Sequence, residues 1–308
     1  GTHRNVRNSC FWYLSYFFDY ALTMIPSRLM KTQILLIAGP TASGKSSRAV
    51  EEALKRNGEI ISVDSRQVYR GLDIGTEKIT NDEMQDVPHH LIDIRAPKEN
   101  YSAGDFFIDA TRLITEISAR GKLPILAGGT HFYFDALLKG LPTGIDANPI
   151  LREELEKLTT EELAQRVTVR DPRRAAELDQ KNRRRLIRAL EIIDSKGEVP
   201  IRTLPAPIYK VEWIVIDPSK EELRSRIDTR LASALSRGLV DEVRRVRTEV
   251  GDARLNELGL EYKIVGEFLR GERTEESLLP TLSAKLWQYA RRQKAWLRKL
   301  HNESFLIN

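Results

Sequence analysis

Directly after the apolar run ILLIA, Ile34 to Ala38, stands GPTASGKS, Gly39 to Ser46. It fits G-x-x-x-x-G-K-[ST], and that spacing needs a buried strand before it and a helix after it, so that several backbone N–H groups converge on one anion. The helix is expected over Lys45 to Arg56. Gly39, Pro40, Thr41, Ala42, Ser43, Gly44, Lys45 and Ser46 would form the cradle. Gly44 permits close approach of the backbone, Lys45 supplies charge to the outer oxygens, and the Ser46 hydroxyl suits a Mg²⁺ that bridges them. The spacing establishes a phosphate and leaves open which molecule carries it.

Around this loop, EIISV (Glu59 to Val63) and LPILA (Leu123 to Ala127) read as further buried strands, and LIDI (Leu91 to Ile94) as a weaker one. Ser102 stands three residues before Asp105, a capping-box-like helix start, and Gly121 marks the stop. This alternation predicts an α/β fold with a P-loop and a parallel sheet. Another strand, VEWIVID (Val211 to Asp217), follows only after a long charged, helical stretch with Asp171-Pro172 as cap and first turn and Gly197 as a stop. The expected organisation is therefore a core of residues 31–142 and 198–308 with C-terminal helices, an inserted all-helical domain over 143–197, and an upstream extension, 1–30, outside the core. The aromatic run from Cys10 to Ile25 raises an anchor or signal reading, but Asp19 interrupts it and it is short for a span. A single cysteine excludes a disulfide framework and a Cys-rich zinc site, in keeping with a cytoplasmic setting.

Ligands of parallel α/β sheets bind at the carboxyl ends of the strands. Asp64 follows the second strand there, and its residue type suits either a Mg²⁺ ligand or a general base. The third strand ends in Gly128-Gly129-Thr130, where two glycines allow close approach and a hydroxyl can donate to an oxygen; a plain turn has the same spacing. A helix expected over Lys181 to Lys196 carries Lys181, Arg184, Arg185 and Arg188 on one side and Leu186, Ala189, Leu190 and Ile193 on the other. From Lys181 to Arg188 there are five basic residues and no acid, which points to a nucleic-acid backbone. From Lys285 to Lys299 there are six more Lys or Arg without an acid. Leu286, Tyr289, Trp296 and Leu300 share a stripe there, so the two aromatics read as core. Gln293 falls in that stripe and must reach a base or satisfy a backbone group. Spacing alone makes Arg230 a surface arginine.

Together GPTASGKS, DSRQVYRGLDIGTEK (from Asp64), HHLIDI (from His89), YSAGDF (from Tyr101), AGGTHFYFDALLKGL (from Ala127), RRLIRALEI (from Arg184) and ARRQKAWLR (from Ala290) resemble, in order, the tRNA dimethylallyltransferases, also called isopentenyl-tRNA transferases. The resemblance covers about Lys31 to Lys299. It implies transfer of a dimethylallyl group from dimethylallyl diphosphate to the N6 amine of the adenosine 3′ of the anticodon in tRNA, with Mg²⁺. It further implies that Asp64 is the base for the N6 proton, that Thr130 donates to the bridging oxygen, and that Arg230 joins Lys45 and Ser46 around the diphosphate. Ser65, Arg66 and Gln67, with Asp64 and Thr130, would meet the anticodon loop. Arg152, Arg184, Arg185 and Arg188 match tRNA-contact positions of the inserted domain, and Arg291, Arg292 and Gln293 match C-terminal ones. The chain departs from the family at Glu261-Tyr262-Lys263, where Gly-Tyr-Lys is common, at Leu286-Trp287, and at His131-Phe132. A monomer with no membrane partner is expected. The alternatives are a small-molecule kinase with ATP in the loop and a non-catalytic RNA-binding module; the first has no need of the two basic helices, the second none of Asp64 and Thr130.

Overall fold

Every side chain from Ile34 to Ala38 is buried, as expected of a strand covered on both faces. In the computed structural model, which describes residues 32–141, 148–200 and 209–305, this run belongs to β1 (Thr32–Ala38). With β2 (Gly58–Val63), β3 (His89–His90), β4 (Leu123–Gly128) and β5 (Tyr209–Val215) it forms one parallel sheet in the order β3-β2-β4-β1-β5. The aromatic run from Cys10 to Ile25 lies outside the described residues.

Among the described residues the helices are α1 (Lys45–Arg56), α2 (Asn81–Met84), α3 (Ala103–Ala119), α4 (His131–Lys139), α5 (Pro149–Glu156), α6 (Thr160–Arg170), α7 (Pro172–Glu177), α8 (Arg183–Lys196), α9 (Lys220–Ser236), α10 (Leu239–Leu255), α11 (Leu260–Leu269) and α12 (Leu278–Phe305). α3 starts on the capping box read from the sequence: the Ser102 hydroxyl accepts from the Gly104 and Asp105 amides, and Asp105 reaches back to the Ser102 amide. The α/β fold, the inserted helical domain and the helical C-terminal region are all present.

Two details differ from expectation. LIDI is not a strand, because Leu91 and Asp93 have φ of +63° and +55°, which breaks an extended backbone; His89 and His90 make the sheet edge instead. The basic helix starts at Arg183, capped by the Asn182 side chain, so Lys181 lies in the preceding turn and drops out of the helical register.

The chain packs as two units, one of them Lys139–Pro205, interposed in the sequence of the other. The interposed unit has its own core, in which Leu163 and Val167 of α6 and Leu186, Leu190 and Ile193 of α8 are buried. Asp171 both caps α7 and accepts from the Val199 amide, tying the end of this unit to its middle. In the larger unit α12 buries Leu282, Leu286, Ala290, Gln293 and Leu297, a stripe at helical spacing with one polar member.

Candidate diphosphate and RNA site

Register places the site. Gly128 pairs with Ala38 of β1 on one side and with Val63 of β2 on the other, so the chain leaves all three strands at one level. The phosphate loop, Asp64 and Gly129-Thr130 are the residues that follow, at the carboxyl edge of the sheet. Gly128 has to be glycine here, since a Cβ would stand 2.1 Å from the Val63 carbonyl oxygen.

The loop turns on two left-handed residues: Ala42 at φ +61°, a conformation strained for a residue with a Cβ, and Gly44 at φ +88°, open to glycine without strain and immediately ahead of α1. The Lys45 ammonium donates to the Pro40 carbonyl at 3.4 Å. Burial lowers the Lys45 pKa to about 8, against the pull of the Asp64 carboxylate and with the help of the neighbouring Arg230 guanidinium. Arg230 is not a surface residue. Its side chain is 14% exposed, and it donates to the Thr41 hydroxyl and to the Gly75 carbonyl. One turn earlier on α9, Arg226 donates to the Ser43 carbonyl at 2.9 Å.

Asp64 and Thr130 are joined through one turn. Asp64 Oδ1 accepts from the Arg66 and Gln67 amides at 2.8 and 3.3 Å, and Thr130 Oγ1 accepts from the Ser65 amide at 3.1 Å. A hydroxyl that accepts from a backbone amide keeps its own proton to give elsewhere. The Gln67 amide group is taken up internally: it donates to the Thr76 and Glu77 carbonyls and accepts from the Ser62 hydroxyl.

Gln293 resolves the choice posed by its place in an apolar stripe. It is buried, its Oε1 accepts from the Thr41 amide at 2.9 Å, and its Nε2 donates to the Gly129 carbonyl at 2.9 Å. The side chain expected among the tRNA contacts thus clamps the phosphate loop to the Gly129-Thr130 turn. Its neighbours Arg291 and Arg292 are exposed. Tyr289 and Trp296 pack partly buried against the core, as their spacing predicts, and Trp296 lies 4.6 Å from the His131 ring.

In the interposed unit Arg184 and Arg185 are exposed. Arg152 and Arg188 both pair with Glu191 Oε2, at 2.9 and 3.2 Å, and Glu191 is buried. Arg183 turns to the Leu155, Glu156 and Leu158 carbonyls at the end of α5. Arg183 and Arg188 of the basic stretch thus hold the unit together, while Arg184 and Arg185 reach solvent.

Four neighbours of the site were given no role from the sequence: Arg226, Glu242, Glu261 and Tyr262, the last two marked there only as a departure from the family. Glu242 is buried and accepts from three successive amides, Asp73, Ile74 and Gly75, at 2.8 to 2.9 Å, and from the Tyr262 hydroxyl at 2.7 Å. It fixes the loop whose Gly75 carbonyl receives Arg230. For the other two the signal was position: Arg226 is four residues before Arg230, and Glu242 sits in the apolar register of Leu239, Val243 and Val246.

A strand-loop-helix phosphate cradle, with a lysine and an arginine on the loop and a carboxylate and a hydroxyl at the neighbouring strand ends, defines a P-loop α/β enzyme of group transfer. The family model for IPP transferase matches residues 67–300. A tRNA dimethylallyltransferase of Thermomicrobium roseum is 41% identical over 276 residues, covering 87% of this chain and 84% of that one. The crystal structure of the tRNA isopentenylpyrophosphate transferase of Bacillus halodurans superposes with a TM-score of 0.64 at 39% identity, covering 87% of each chain. A eukaryotic dimethylallyltransferase caught acting on tRNA gives 0.75 at 27% identity, over 86% of this chain and 70% of that one. The chain belongs to the IPP transferase family of enzymes. No helix among the described residues is long and apolar enough to cross a membrane.

Proposed function

We propose that the protein transfers a dimethylallyl group from dimethylallyl diphosphate to the N6 amine of the adenosine 3′ of the anticodon in tRNA, releasing diphosphate. The observation that carries this reading is the meeting of the phosphate loop, Asp64 and Thr130 at one edge of the sheet, set by the shared register at Gly128. In the reaction the bond from the allylic carbon to the diphosphate oxygen breaks, a carbon–nitrogen bond forms, and the amine loses a proton. Charge builds on the departing oxygen. Lys45, Arg230 and the loop amides neutralise it, and the Thr130 hydroxyl donates to the bridging oxygen. Asp64, its Oδ1 held by two amides, accepts the proton on Oδ2.

A magnesium ion fits this arrangement: Ser46 is exposed in the first turn of α1, where its hydroxyl can join phosphate oxygens and water around Mg²⁺. Bound there, it would add positive charge to the diphosphate. The adenine has to leave its stack to reach the edge of the sheet, at a cost of a few kcal/mol. Contacts of Arg184, Arg185, Arg291 and Arg292 with the RNA backbone would offset that cost. The test is mass analysis of nucleosides from tRNA incubated with the protein, dimethylallyl diphosphate and Mg²⁺. A dimethylallyl-adenosine at the position 3′ of the anticodon is expected. Unchanged nucleosides, with ATP rather than the prenyl donor protecting the protein from heat, would mark a kinase instead.

A further inference from the structure

Glu261 is a carboxylate in a place where one is costly. It lies in the first turn of α11, its side chain is 12% exposed, and its ion-pair partner is Arg230, at 3.5 Å. Burial pushes its pKa up, and Arg230 pulls it back down; Asp64 and Arg66 are near enough to act on it as well, and its charge in turn reaches Tyr289. The helix N-terminus, capped by Gly259 without a side chain, favours the ionised form. The other carboxylate near Arg230, Glu77 at 4.0 Å, is engaged by Arg237.

Two cations, Lys45 and Arg230, face the same loop, and the Arg230 guanidinium disfavours the charge on Lys45. With no diphosphate bound, Glu261 supplies the balancing charge. Once a diphosphate enters, the same carboxylate becomes a buried like charge that shares its guanidinium with the ligand. We propose that Glu261 is a positioning residue: it holds Arg230 against the phosphate loop and competes with diphosphate for it, so that it sets how tightly donor and product are held. The inference rests on the reading that Lys45 and Arg230 bind the donor's diphosphate.

Calorimetric titration of the full chain with inorganic diphosphate and Mg²⁺ tests it, in four proteins: wild type, Glu261→Gln, Arg230→Ala and the double variant. Glu261→Gln keeps the shape and removes the charge, so diphosphate should bind about tenfold tighter, equivalent to about 1.4 kcal/mol. Arg230→Ala should weaken binding, and in that background Glu261→Gln should have no further effect. In steady state the KM for dimethylallyl diphosphate should change by more than kcat. Glu261→Ala, which also removes the acceptor that holds Arg230 in place, should tighten binding less than Glu261→Gln does, and thermal unfolding of each variant reads whether the fold is retained. Equal or weaker binding in Glu261→Gln overturns the proposal. So does the same tightening without Arg230, since Glu261 would then act by direct repulsion. Binding that is indifferent to Arg230→Ala would instead overturn the parent reading of the cradle.

Discussion

Replacing Gln293 with leucine separates a clamp from an RNA contact. In the structure the side chain satisfies the Thr41 amide and the Gly129 carbonyl, and both bonds are 2.9 Å long. Gln293→Leu keeps the volume and removes both partners. The Gly129 carbonyl is buried at this contact and bears the larger penalty, about 1–3 kcal/mol; the Thr41 amide is partly solvated and adds roughly 1. The expected loss is about 2–4 kcal/mol of stability for the α/β unit. Urea unfolding followed by tryptophan fluorescence, in a Trp12→Phe background, reports that unit, because Trp213, Trp287 and Trp296 belong to it and the interposed unit has no tryptophan. Diphosphate affinity should fall with it, since the loop loses its tie. Gln293→Glu should be harmful in a pH-dependent way: the carboxylate still accepts from Thr41 but repels the Gly129 carbonyl, and protonation at lower pH restores a donor. Unfolding of Gln293→Leu identical to wild type, together with weaker tRNA binding, would refute the clamp and return Gln293 to the RNA surface.

Three further outcomes are expected. Asp64→Asn cannot take a proton and should lower kcat by about 10²–10⁴ while both substrates still bind; recovery of activity at high Mg²⁺ would assign Asp64 to the metal instead. Replacing Arg184 and Arg185 together with alanine should make the slope of log K for tRNA against log[salt] shallower by about 1.4, whereas Arg188→Ala should chiefly destabilise its unit by leaving Glu191 to Arg152 alone. Lys45 has a pKa lowered to about 8, so it carries its charge below that value and loses it above. Consequently kcat/KM for the donor should decline as pH rises through about 8, and kcat should hold to higher pH because bound diphosphate favours the charged lysine; a profile flat up to the ordinary lysine range would contradict the burial of Lys45.

What could be read from the sequence was whatever has a local signature. The loop spacing gave α1 to the residue, Ser102 and Asp105 gave the start of α3, and the apolar runs gave β1, β2, β4 and β5 to within two residues. LIDI failed because a run of apolar residues says nothing about φ, and two of its members are left-handed. At the site, Asp64 and Thr130 were legible because strand ends are where ligands bind. Arg230 was legible through the family resemblance and not through spacing, since its burial depends on α9 crossing the phosphate loop, a contact between residues 189 apart. Glu242 was hidden for the same reason, and Glu261 stood out only as a departure from the family: both act on partners outside their own helices, through Gly75 and Arg230.

The clamp on the phosphate loop also has an order in time. Thr41 and Gln293 are 252 residues apart, so at about 5–20 residues per second the ribosome completes the loop roughly 10–50 s before the residue that fastens it. During that interval β5 is also missing for most of the time, and β1 waits with one edge open. A nascent chain therefore carries the phosphate-binding motif before its clamp exists, and a chain truncated before α12 should hold the donor more weakly than one that includes it. Competence at the phosphate loop therefore waits for α12, whereas the interposed unit, with a core of its own and the exposed Arg184 and Arg185, is complete well before it.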